Sequence, residues 1–192
     1  MAKVLQPEIA NSYFLEQGVK LGPWNCLETP KSEGSYVASS FCTGKSTYEL
    51  IAFSQHIAGW LTKGCWKIIQ IDNSSHFYPD QESVLGALLL GPAQPIDLIN
   101  NRTYLFEFGA NERMNFQEEV VLAYVINLML IYEAHCYVIS SGGEMGEMIA
   151  IQDGVVYFYG NRVRLSQAKD LLTELQTDPL RPAAWTQLSE ST

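Results

Sequence analysis

CYVISSGGEMGEMIAIQDGVVYFYG, residues 136–160, holds three short apolar runs, Cys136–Ser140, Glu147–Gln152 and Gly154–Tyr159. Each is rich in Val, Ile, Tyr or Phe, the residues that pack well on a pleated surface. The first two are joined by a loop containing Gly142-Gly143. The last two meet at Asp153-Gly154, a pair suited to a tight hairpin because both residues tolerate positive φ. The stretch therefore predicts an antiparallel meander near the end of the chain.

Working outward, the apolar run Val120–Tyr132 is broken only by Asn127 and is too short for a bilayer span, so it reads as a buried core helix. Asn115 and Glu118 have the spacing of a capping box at its start, and it runs to about Glu133. Arg102–Gly109 alternates as a strand does. That places Tyr104, Phe106 and Phe108 on one face, expected in the core, and Leu105 and Glu107 on the other. Ser35–Phe41 and Cys65–Asp72 read as further strands. Residues 8–17 after Pro7, the run after Ser46, the run from Pro79 to Gly91-Pro92, and residues 164–176 read as helices. Lys20–Glu33, punctuated by Gly22-Pro23 and Pro30, reads as loop. Helices and strands mix without a βαβ rhythm. The expectation is one compact α+β domain over residues 1–192, with a mixed or antiparallel sheet, a C-terminal meander and several packed helices.

Composition narrows the function classes. With 47% hydrophobic, 17% charged and 11% aromatic residues, the 192-residue chain is an ordered globular protein. Its net charge of −9 argues against direct binding to nucleic acid and against attraction to an anionic membrane surface. The four cysteines, Cys26, Cys42, Cys65 and Cys136, form no CxxC, and MAKVLQPEIANSYF lacks a basic segment followed by an apolar core. They are expected to be free thiols of a cytoplasmic protein. His56, His76 and His135 have no ligand spacing, so neither a metal nor a cofactor is expected.

Gly44-Lys45-Ser46 invites a nucleotide reading, because a phosphate loop ends in Gly-Lys-Ser or Gly-Lys-Thr. Five residues before Gly44, however, stands Ser39 and not glycine, and Phe41 occupies the loop interior. Ser46 and Glu49 have capping-box spacing, which accounts for both without a phosphate.

The acids are unevenly placed. Residues 72–153 hold twelve, against only Arg102 and Arg113, a net charge of −10. Such a bias suits an acidic face for a basic partner, with aromatic side chains as anchors. The residues expected to face that partner are Asp72, Phe77, Tyr78, Asp80, Glu82, Glu107, Glu112, Glu144, Glu147 and Asp153. With no catalytic signature present, the expected function is that of an acidic inhibitor. It would be an immunity protein that covers the active site of a basic bacterial toxin, such as a nuclease. The alternative is a small enzyme using the degenerate loop at 44–46 or a cysteine nucleophile, Cys136 or Cys65. A nucleic-acid mimic would share the acidic face and differ in its target.

Overall fold

The computed structural model describes residues 2–22, 27–28, 36–40, 46–61, 66–72, 75–91, 103–107, 116–141 and 147–175. Within them the meander forms as read. β7 (Cys136–Ser140), β8 (Glu147–Gln152) and β9 (Val155–Tyr159) pair in sequence, all antiparallel. Asp153 and Gly154 take φ of 49° and 74° at the tight turn, the backbone that an Asp-Gly pair permits.

Four more strands extend this meander: β1 (Lys3–Val4), β4 (Tyr36–Ser40), β5 (Trp66–Ile71) and β6 (Thr103–Glu107). The seven lie in the order β1-β6-β5-β7-β8-β9-β4, and every neighbour is antiparallel. The expected α+β class and antiparallel sheet are both present. A second, two-stranded ribbon pairs β2 (Lys20–Leu21) with β3 (Leu27–Glu28). This corrects the reading of Lys20–Glu33 as loop alone. Two-residue strands give no periodicity to detect, and the ribbon is held by burial of Val19 and Leu27.

Among the described residues five helices accompany the strands: α1 (Pro7–Glu16), α2 (Thr47–Trp60), α3 (Pro79–Leu90), α4 (Phe116–Ile131) and α5 (Arg162–Glu174). Strand alternation divides the sheet into two apolar faces. One carries Ile69, Ile71, Tyr104, Phe106, Val138, Ile149 and Phe158. It packs against Phe53, Ile57 and Trp60 of α2, Leu85 of α3, Val125 and Met129 of α4, and Leu165 of α5. The other carries Ile68, Leu105, Tyr137 and Ile139 against Ala10 and Phe14 of α1. Trp60 meets Phe158 edge to face at 5.2 Å, tying α2 to the meander. Burying such rings contributes roughly 2–3 kcal/mol each. The expected core positions Tyr104 and Phe106 are buried together on the helix-covered face, while Phe108 lies outside the described residues.

Two elements depart from their reading. α4 reads from its composition as a buried core helix. Val125, Ile126 and Met129 are buried, but Tyr124 and Ile131 on the opposite side are 57% and 44% exposed. A helix lying on one sheet has one face left for solvent, whatever its composition. α5 begins at Arg162, two residues earlier than read, because the Asn161 side chain accepts the Arg164 backbone N–H at 3.1 Å and caps it.

Candidate functional site

The strand register sorts the acidic residues. β5 and β8 run in one direction, β7 and β9 in the other, so the sheet has two ends separated by a strand length of roughly 17 Å. Asp72, the 75–80 segment, Glu133 and Asp153 belong to the end where β5 finishes and β7 begins. Glu107 and Glu147 belong to the opposite end, beside Trp66 and Ser140. The ten expected partner-facing residues are therefore not one surface. Glu112 and Glu144 lie outside the described residues.

At the first end, backbone bonds stitch the loops together. The Asp72 N–H donates to the His135 carbonyl at 2.9 Å, and the Ser75 N–H donates to the Asp72 carbonyl at 3.1 Å. Ser75 Oγ accepts the His135 N–H at 2.8 Å and donates to the His135 carbonyl at 3.2 Å. This frame buries Asp72, which is only 5% exposed and so offers little to a partner. It also holds the next residues outward. Phe77 is half-buried, its ring edge to face with Tyr132 at 6.1 Å, while Tyr78 is 71% exposed.

Pro79 then opens α3. The Tyr78 N–H donates to the Gln81 side chain at 2.9 Å, satisfying a backbone donor just before the helix. Asp80 and Glu82 follow in the first turn, where acids are stabilised by the helix dipole; Asp80 is exposed and Glu82 partly so. Burial pushes the Tyr132 phenol above its ordinary range, and the nearby Asp80 carboxylate adds to this. Glu133 and Asp153 are exposed, both in left-handed backbone.

His135 joins this end through Nε2, which lies 3.1 Å from Asp153 Oδ1 and 3.3 Å from the Asp153 backbone nitrogen. An unprotonated Nε2 accepts the N–H, and a protonated one donates to the carboxylate. The partner engaged therefore depends on whether Nε2 carries a hydrogen, and the neutral ring has a tautomer of either kind. Tyr132, Glu133 and His135 were not singled out from the sequence. They are remote from residues 72–80 in the chain; Tyr132 meets Phe77, and His135 meets Asp72 and Ser75, because β5 and β7 are neighbours.

At the opposite end both described acids are paired with cations. Glu147 is 4% exposed and sits on the helix-covered face, aligned across the strands with Ser140 and the fully buried Lys67. Arg164 comes down on it from α5. Its Nη2 donates to Glu147 Oε2 at 3.1 Å, and Nε stands 2.7 Å from Oε1 at an angle too bent for a hydrogen bond. The same guanidinium donates to the Trp60 carbonyl and to Gln167, and lies 4.6 Å from the centre of the Trp60 ring. The Trp60 Nε1–H donates in return to the Arg164 carbonyl at 3.2 Å. Glu147 is thus the inner partner of a clamp between α2, α5 and β8. Glu107 is exposed but pairs with Lys3 on β1, whose ammonium is held above its ordinary range by that hydrogen bond.

The enzyme alternative finds partial answers. Ser46 is the cap of α2: its Oγ accepts the Glu49 N–H at 3.4 Å, and Glu49 Oε2 accepts the Ser46 N–H at 2.6 Å. Gly44 and Lys45 lie outside the described residues. Cys136 is fully buried and burial raises its thiol far above the ordinary range, so it is poorly suited to be a nucleophile. Cys26, Cys42 and Cys65 lie outside the described residues. Among the described residues there is no group of His, Cys, Asp and Glu able to hold a metal ion, and no helix long and apolar enough to cross a membrane. In comparisons with known proteins, the chain matches no protein family, no curated protein and no solved structure.

Proposed function

We propose that the chain is an acidic protein-binding inhibitor, an immunity protein for a basic toxin domain such as a nuclease. Its docking end is the one built from Phe77, Tyr78, Asp80, Glu82, Glu133 and Asp153. The observation that carries this reading is the exposed Tyr78 ring, anchored by half-buried Phe77 and followed at once by the first-turn acids of α3. A rigid aromatic with exposed carboxylates beside it has the composition of an interface centre with a charged rim. A toxin that holds nucleic acid needs Lys and Arg around its active site. Carboxylates seated there would exclude the substrate by charge and by volume, and long-range attraction would speed the encounter.

The test begins with the partner captured by the tagged protein from its native host and identified by mass spectrometry. Kd for that protein is then measured against salt concentration for the wild type, for Asp80→Lys with Glu82→Lys, and for Tyr78→Ala. The charge reversals are expected to slow association about tenfold or more and flatten the salt dependence, and loss of Tyr78 is expected to cost about 2 kcal/mol of binding. Glu107→Lys, at the far end of the sheet, serves as the control. Unchanged affinity and salt dependence in the charge-reversed variant would sink the reading.

A further inference from the structure

β4 is an outer strand of the sheet. It pairs with β9 along Tyr36–Ser40, and among the described residues no strand pairs with its other edge. A free edge presents backbone N–H and C=O groups ready for another strand. Beside it, α5 packs on β4 and β9 and leaves a groove of about 540 Å³, lined by Tyr36, Val37, Arg162, Leu165, Ser166 and Lys169.

The charge in this groove runs against the chain as a whole, whose net is −9. Among the other described Lys and Arg residues, Lys3 is paired with Glu107, Lys20 is exposed on β2, Lys67 is buried, and Arg164 is buried on Glu147. Arg162 and Lys169 are exposed, and neither makes an ion pair among the described residues. Seven residues apart on one helix, they stand roughly 10 Å apart along its axis. An extended peptide presents same-side residues about every 7 Å, so two carboxylates on one side of a strand fall within reach of these flexible arms.

We propose that the β4 edge and the β4–α5 groove bind an extended acidic peptide segment of about five residues. The segment adds as an eighth strand, with the carboxylates of one face meeting Arg162 and Lys169 and its alternate side chains on the face turned away from α5. Main-chain bonds to the edge supply affinity, and the two cations select for acidic sequence. This site is separate from the docking end at Tyr78 and does not depend on it.

The experiment uses fluorescence anisotropy on the full chain, with a labelled peptide of alternating Glu and Val and a matched peptide of alternating Lys and Val. The Glu peptide is expected to bind saturably and the Lys peptide not at all. Arg162→Glu with Lys169→Glu, both exposed positions, is expected to weaken binding tenfold or more. N-methylation of alternate backbone nitrogens in the Glu peptide is expected to do the same. Asp80→Lys with Glu82→Lys leaves this binding unchanged. The proposal is overturned if neither peptide binds, if both bind alike, if the double reversal at 162 and 169 has no effect, or if the N-methylated peptide binds as well as its parent.

Discussion

The two ends of the sheet carry the same kinds of residue and use them in opposite ways. At one end Asp80, Glu82, Glu133 and Asp153 stand at least partly in solvent, as does the Tyr78 ring. At the other, Glu147 is withdrawn beneath α5 and closed by Arg164, with Lys67 buried in the same row of the sheet. What separates them is cover. The first end is made of turns and a helix start, where carboxylates are stabilised by backbone and water. At the second, α2 and α5 close over the strands, and a charge there needs a partner. An acid counted from composition is therefore a surface group in one place and an internal strut in the other.

The largest effect is expected from removing the strut. Arg164→Ala leaves Glu147 buried and uncompensated, and is expected to cost about 3–5 kcal/mol in denaturant unfolding. The double change Arg164→Met with Glu147→Leu should recover most of that loss, because a packed apolar pair replaces the ions without stranding a charge. A single variant that costs under about 1 kcal/mol would show that the pair is solvated.

A second measurement probes how dry the helix-covered face is. Burial raises the Cys136 thiol in the fold, so the folded state holds its proton where the unfolded state releases it. This contribution to stability is present below the ordinary thiol value of 9.0 and is lost as pH rises above it. The expected slope from this group is about 1.4 kcal/mol per pH unit. Burial of the Tyr132 and Tyr157 phenols pushes stability the same way at still higher pH. Cys136→Ala should flatten the first part of the curve, and an unaltered slope in that variant would place the titration elsewhere.

The smallest effect belongs to the exposed end. Asp80→Lys with Glu82→Lys loses the favourable dipole contact of the first turn, worth about 1 kcal/mol of stability at most. A loss comparable to that of Arg164→Ala would mean that these acids, too, are structural. A small loss keeps them free for a partner.

Much of the candidate docking end was legible. Phe77-Tyr78 before a proline, with acids in the following turn, is a local pattern, and local patterns survive folding. Tyr132, Glu133 and His135 were not legible as members of it, because their meeting with residues 75–80 depends on the β5–β7 pairing. Glu147 was misplaced for the same reason. Nothing within five residues of it says that Arg164, seventeen positions on, returns to the same spot.

Local residue patterns set the kind and position of most elements: the meander from its short apolar runs between turn residues, the Asp153-Gly154 turn from its tolerance of positive φ, and the start of α2 from Ser46 and Glu49. These rest on dihedral preference and on side chains three or four residues apart, which act before the chain folds. The strand order β1-β6-β5-β7-β8-β9-β4, the exposed stripe of α4, the burial of Glu147 under Arg164, and an edge of β4 that no described strand pairs, beside two exposed cations, came with tertiary packing. Each of those depends on which surfaces cover one another, and coverage is set by contacts between residues far apart in the chain.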